Sequence, residues 1–399
     1  MNKSLLEVCN ITTGNLDSNA ATKNGRYPFF TCAPEPLRIN DYAFDDDVIL
    51  LAGNNAQGNF HLTRYKGKFN AYQRTYILTA RKGFDVDYIR YSLELYINHL
   101  KKVSQGSQTK FLTMGILEQF RINDIPYDLQ KNQVSMLIAI DKKIELNKKI
   151  NATLEAMAKI LYNYWFVQFD FPDENGKPYK TSGGKMIYNA ELGREIPADW
   201  EVGKLSDCIK NINTGLNPRD NFILNNGGDI KYVTVKNLTA TGQIDFSNCD
   251  YIDVSSKNLI HKRSDISKDD ILFASIAPLG RCFLIFEEPK DWEINESVFS
   301  IRSSKLVNEI FLYMYFKSNE FIKLASLSST GSIFKGIRVE TLLNINIAIP
   351  SKAILNKFKD KVNFALRKIH HYWKENQNLI ALRDWLLPML MNGQVNFKD

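Results

Sequence analysis

Residues 53–70 hold the densest run of recognition chemistry in the chain. Asn55, Gln57, Asn59, His61 and Arg64 come first, then Lys66 and Lys68, with Phe60, Tyr65 and Phe69 interleaved. An amide presents a donor and an acceptor side by side, which matches the edge of an adenine, and an arginine fork matches a guanine. A lysine is a point charge suited to a phosphate. The amides, His61 and Arg64 are therefore candidates for base edges, and Lys66 and Lys68 for phosphates. The plainer reading of the same stretch is a polar surface loop with ordinary hairpin chemistry. In the second half, the stretches 231–241 and 275–281 supply Thr234, Lys236, Asn237, Ser275 and Arg281 as the corresponding candidates. Lys110 and Lys335 follow Gly106-Ser107 and Gly331-Ser332 at the same distance. A lysine present twice in an otherwise neutral frame suits an anchor that positions without specifying; the alternative is a pair of solvated lysines.

Residues that would make and break bonds are not arranged for it. The chain has no Asn-Pro-Pro-Phe or Asp-Pro-Pro-Tyr for base methylation, and Phe169-Asp170-Phe171-Pro172 does not match either. It lacks a Walker A loop, Gly-x-Gly-x-x-Gly, Gly-x-Ser-x-Gly and His-Glu-x-x-His. His370-His371 sits on a long helical stretch where packing or solvation explains it. No metal site and no catalytic residue is expected. The five cysteines form no Cys-x-x-Cys pair, which implies reduced thiols in the cytoplasm.

The elements that must position the candidates are legible as a repeat. Leu137, Ile144, Asn151, Ala158 and Trp165 fall seven apart, and Ile140, Asn147, Leu154 and Leu161 fall seven apart on the same side. That is the pattern of a helix lying along another helix. A step of 225 residues takes Lys143-Ile144 to Lys368-Ile369, Asn151 to Asn376, Leu154 to Leu379 and Leu161 to Leu386. The same step takes Gly106-Ser107 to Gly331-Ser332 and Lys110 to Lys335. One offset shared by a loop, a proline-ended apolar run and a helix means duplication. A helix of 38 residues would be about 57 Å long with a wet apolar stripe unless its copy covered it. Leu137, Ile140, Ile144, Leu154 and Leu161 should therefore pack with Ile369, Leu379 and Leu386.

Before each helix the text is strand-like: 27–32, 47–52 and 76–79 in the first half, and 230–235, 270–275 and 282–286 in the second. Helical spacing covers 87–100 and 310–325. The Pro, Gly and Asx density of 170–199 reads as a linker. A net charge of +7 is a modest bias toward polyanions, no apolar run is long enough for a membrane, and the N-terminus lacks the apolar core of a secretion signal.

A duplicated mixed module with paired long helices and no catalytic motif resembles the specificity subunit of Type I restriction–modification systems, over essentially the whole chain. The resemblance rests on Thr13-Gly14 and Thr214-Gly215, on the repeated Gly-Ser…Ile-Pro…helix frame, on 227–233, on Asp269-Asp270-Ile271-Leu272 and on Ile196-Pro197-Ala198-Asp199-Trp200. It implies an α+β chain in which two mixed α/β target-recognition domains are separated by two long antiparallel helices, a coiled-coil spacer with a pseudo-twofold internal repeat. The implied limits are a first domain over 1–127, a first spacer helix over 128–169, a linker over 170–199, a second domain over 200–350, and a second helix with tail over 351–399. Each domain would read half of a split site in double-stranded DNA. Methyltransferase subunits would dock on the helices and a motor–nuclease subunit would join for cleavage. S-adenosylmethionine, ATP and magnesium would be bound by those partners, none by this chain. The first half lacks the Gly-Gly-x-x-x-Tyr-Val of the second, so the two modules should read different sequences. The rival classes are a nuclease or methyltransferase with an unrecognised site, and an adaptor with two protein-binding modules.

Overall fold

The computed structural model describes residues 2–55, 60–103, 110–327 and 336–395, with the side chains of Asn55, Lys110 and residues 98–103 outside that description. The chain divides into two compact units, 1–145 with 377–399, and 146–376. Each unit takes a part of each long helix, Tyr127–Tyr162 and Lys352–Met391.

The first unit is built on a six-stranded sheet with the order Cys9–Thr13, Thr75–Ala80, Phe44–Ala52, Leu62–Ala71, Tyr27–Phe30, Leu37–Ile39. Its central strand reads Val48-Ile49-Leu50-Leu51 without polar alternation because both faces are covered. Ile49 and Leu51 pack with Leu78, Tyr88 and Leu137, while Val48 and Leu50 pack with Phe30, Phe69 and Ile77. The helix Val86–Val103 closes the first of these faces.

Residues 53–70 depart from the loop expected of them. Leu62–Ala71 is a ten-residue strand paired along Phe44–Ala52, and Asn54–Asn55 is a short strand before it. Tyr65 and Phe69 point into a core, while Arg64, Lys66 and Lys68 alternate on the other face.

The second unit repeats this plan with one interruption. Ile209–Thr214, Val298–Ser303, Ile271–Ala274 and Cys282–Leu284 form one sheet, and Asp250–Ile252, Ile230–Val233 and Trp292–Ile294 another. Cys282–Leu284 and Trp292–Ile294 together do what Leu62–Ala71 does alone: one pairs with the central strand, the other runs parallel to the strand from the module's first half. The helical stretch expected over 310–325 is broken. Glu309–Phe316 ends before Ser318, whose hydroxyl accepts the Phe321 amide at 3.1 Å and caps a second helix, Asn319–Leu327. The stretch 170–199, expected as a linker, is folded into this unit's core. Phe171 stacks on Tyr179 and Trp200, Ile196 is buried, and Met186–Asn189 pairs with Arg194–Pro197 as a hairpin.

Within each unit the long helices run antiparallel. In the first, Leu137, Ile140 and Ile144 share a core with Leu386, Leu387 and Leu390, and Leu379 packs at its edge. Arg383 reaches Asp141 at 3.2 Å. In the second, Asn147 donates to Glu375 at 2.7 Å and to Asn376 at 2.9 Å, Asn151 donates to the Ile369 carbonyl at 3.2 Å, and Tyr162 packs on Phe358. Leu161 and Ile369 pack against the same core, and Leu154 is half-buried. The helix ends in a π turn, Asn163–Val167, that buries Trp165 and Phe166.

Candidate nucleic-acid interface

At one end of the first unit's sheet four chain segments are tied by backbone hydrogen bonds. Gly53 donates to the Arg74 carbonyl at 2.8 Å and accepts from Leu112 at 2.8 Å. Asn54–Asn55 then pairs antiparallel with Lys110–Phe111. Gly14 donates to the Thr75 carbonyl at 3.4 Å, and any side chain at Gly14 would strike the Ala71 carbonyl. The second unit is wired alike. Ser275 donates to the Ser297 carbonyl at 3.0 Å and accepts from Ile337 at 2.8 Å, and Ile276 bridges Gly336. Gly215 donates to Asn295 at 3.2 Å, and its missing Cβ leaves room for the Ile294 carbonyl. The duplicated Thr-Gly is therefore a close crossing, possible only without a side chain. It also follows that the segment after Gly53 and the segment after Ser275 occupy equivalent places.

The first set of candidates separates on this frame. Asn55 lies on the strand at the sheet end, with its side chain outside the described residues, and Gln57 and Asn59 lie outside them altogether. His61 is half-buried where the segment re-enters the sheet, its carbonyl accepting from Ala52 at 3.0 Å. Arg64 is held inward: its guanidinium meets Asp47, Asp87 at 3.1 Å, and the carbonyls of Val48 and Tyr65. An arginine committed to two carboxylates and two carbonyls braces the sheet against its helix, which corrects its assignment to a base edge. Lys66 is exposed but faces Asp47 at 3.5 Å. Burial would raise the Asp47 carboxyl, yet Arg64 and Lys66 beside it hold it below the ordinary value. Lys68 lies over the Tyr42 ring at 4.5 Å, and its hydrogen bond to that tyrosine raises its pKa.

The second set is more strongly corrected. Asn237 is buried; its oxygen accepts from the Thr234 amide and hydroxyl, both at 2.9 Å, and its nitrogen donates to Asp245 at 3.1 Å. Thr234 and Asn237 thus close a one-turn 3-10 helix, Val235–Asn237, with the Asn237 side chain buried. Ser275 is buried and donates to Ser297 at 2.8 Å. Arg281 donates to the Leu238 carbonyl at 3.0 Å and is partly buried. Lys236 is exposed, 3.2 Å from Asp250, whose carboxyl is lowered first by a hydrogen bond from Asn225 and then by this lysine. Lys335 lies outside the described residues, and the side chain of Lys110 likewise. Two turns that no motif marks, Gln73-Arg74 and Glu296-Ser297, sit at the centre of the wiring. Only the tertiary hydrogen bonds reveal them.

One cluster has the residue types of nucleophilic catalysis. Ser264 and His261 both reach the buried Glu293, each at 2.7 Å. The hydroxyl bonds the carboxylate and not the imidazole, so nothing there would take its proton; the group ties a helix to Trp292–Ile294. Cys9, Cys208 and Cys282 are buried, and desolvation pushes each thiol up to about 12. Among the described residues no group of three potential ligands could hold a metal, and no helix is long and apolar enough to cross a membrane.

Comparison with known proteins places these features. A family model described as the Type I restriction modification DNA specificity domain matches residues 1–156 and again 197–364. The specificity subunit of the Type I restriction enzyme EcoDI from Escherichia coli is 36% identical over 210 residues, covering 49% of this chain and 45% of that protein. The chain thus matches less than half the length of that relative. The MjaIX specificity subunit from Methanocaldococcus jannaschii is 27% identical over 324 residues, covering 78% of this chain and 69% of that protein. In fold, the crystal structure of a Type I system S subunit from M. genitalium superposes with a TM-score of 0.59 at 16% identity, covering 100% of this chain and 96% of that one.

Proposed function

The chain belongs to the Type I restriction–modification DNA specificity family, and on that premise we propose that it reads a bipartite site in double-stranded DNA, one half with each module. The carrying observation is the pair of equivalently wired sheet ends, where the same backbone frame presents different side chains. A shared frame with divergent side chains suits a reader that keeps its docking geometry while changing its sequence. In the first half-site Asn55, Gln57, Asn59 and His61 are the base-edge candidates. Lys66, Lys68, Lys110, Lys236 and Lys335 are the phosphate candidates.

The paired helices act as the ruler that sets the gap between half-sites. They also dock the partners. Met157 and Ile160 are exposed on the first helix, and a step of 225 residues leads to Leu382 and Trp385, exposed on the second. An exposed apolar pair repeated at matching positions supports two copies of one methyltransferase partner. A motor–nuclease subunit joins that complex in the cytoplasm, and S-adenosylmethionine, ATP and magnesium act on the partners. This chain supplies recognition.

The test is a module swap. Replacing residues 200–349 with the matching segment of a relative should yield a complex that retains the half-site read by 1–127 and adopts the donor's other half. A joint change of both half-sites would show that the modules are not independent readers. Affinity for DNA should also fall steeply with salt.

A further inference from the structure

We infer that the turn between Leu62–Ala71 and Thr75–Ala80 is a second base-reading element of the first module, with Arg74 as its specificity-determining residue. The inference rests on the reading of this unit as the holder of one DNA half-site.

The Arg74 backbone is fixed from two sides: its carbonyl accepts from Gly53 at 2.8 Å and from the Cys32 thiol at 3.5 Å. Its side chain is exposed and has no partner among the described residues. The cations of the strand Leu62–Ala71 differ, since Arg64 and Lys66 are tied to Asp47 and Lys68 lies on Tyr42. Beside Arg74 a cleft of about 210 Å³ is lined by Thr13, Gln73, Tyr76 and Phe111, and Phe111 pairs with Asn54. A held backbone carrying an uncommitted guanidinium fork brings a donor pair to the cleft. The acceptor pair it matches in a major groove is O6 and N7 of guanine.

The equivalent turn of the second module carries a carboxylate one residue before the position that matches Arg74. Glu296-Ser297 stands where Gln73-Arg74 stands; Glu296 is half-buried with one carboxylate oxygen enclosed, so its other oxygen is the one that can face a base. A carboxylate only accepts, and the base edge it matches is the exocyclic amine of cytosine. The two turns therefore favour guanine in the first half-site and cytosine in the second.

The experiment selects sites from a randomised duplex library with the full chain in complex with its partners, comparing wild type, Arg74→Ala, Arg74→Lys and Glu296→Gln. Arg74→Ala should relax one position of one half-site by about 5- to 150-fold and leave the other half untouched. Arg74→Lys should fail to restore it, because lysine lacks the fork. Glu296→Gln should change only the other half-site. Because the Arg74 side chain supports nothing in the described fold, its melting temperature should match wild type. Unchanged selection by Arg74→Ala would overturn the inference. So would uniform weakening of all sequences with a salt slope reduced by about one, which marks a phosphate contact. Wild type selecting no sequence at all would instead sink the DNA reading itself, and this inference with it.

Discussion

Asp141 is the joint on which the first unit's helices close, and removing it should unlock them. Its carboxylate accepts from Tyr91 at 2.7 Å, from Arg90 at 2.9 Å and from Arg383 at 3.2 Å. Three helices, Val86–Val103 and the two long ones, are thereby tied at one residue. Burial pushes the Asp141 carboxyl up, but the Tyr91 hydrogen bond and the two guanidiniums outweigh it and hold it below the ordinary value. Asp141→Ala leaves Arg90 with Glu94 at 3.5 Å, Arg383 with Asp384 at 2.8 Å, and a buried tyrosine hydroxyl without its acceptor. Breaking a fully buried pair costs about 3–5 kcal/mol. The partners here keep 17–22% of their side-chain exposure, so solvent screening brings the expected cost to about 2–3 kcal/mol. For a unit of this size that is a fall of about 4–12 °C in melting temperature. Asp141→Asn retains one acceptor oxygen and should fall between. Calorimetry on the three proteins decides the matter, and a cost for Asp141→Ala below about 0.5 kcal/mol, the level of an ordinary surface change, would refute the assignment. The sign with pH is also determined: a depressed carboxyl contributes stability above its unfolded pKa and loses it as pH falls through the folded value. Asp141→Ala should therefore resemble wild type more closely in acid.

Three further outcomes follow from the same geometry. Gly215→Ala should destabilise the second unit by about 1–3 kcal/mol or more, through collision with the Ile294 carbonyl, and Gly14→Ala should do the same to the first; thermal melts of each variant check this. Burial among Phe286, Trp373 and Phe283 lowers His370 to about 4, with Glu287 at 3.8 Å favouring the charged ring and Lys374 and Arg367 opposing it. Stability contributed by the neutral ring is complete above about 6.5 and lost as pH falls toward 4, by up to about 3 kcal/mol, and denaturant titrations of wild type and His370→Phe should differ by that pH dependence. Four residues inserted after Asn147 should lengthen the first helix by about 6 Å and widen the gap in the DNA site by about two base pairs, both half-sites unchanged; an unchanged gap in an insertion variant that still selects its site would remove the ruler role.

The heptads at Leu137, Ile144, Asn151 and Ala158 were legible in the sequence because a long helix shows its period in residue types alone, and those positions are buried. The offset of 225 was legible for the same reason, and it reappears in the structure as Leu112 and Ile337 donating to Gly53 and Ser275. The duplicated Thr-Gly was visible as text, although its cause, a backbone crossing too close for a Cβ, was not. What each polar residue does depended on partners far away in the chain. Arg64 has the residue type of a base contact, and Asp87, on a helix packed over the sheet, holds it. Asn237 has that type too, and its side-chain amide bonds Thr234 and Asp245. Residues 170–199 have the composition of a linker, yet Phe171 and Ile196 enter a core that only tertiary contact supplies. Local periodicity is a property of neighbours in sequence, whereas the availability of a donor or acceptor is settled by whatever folds against it.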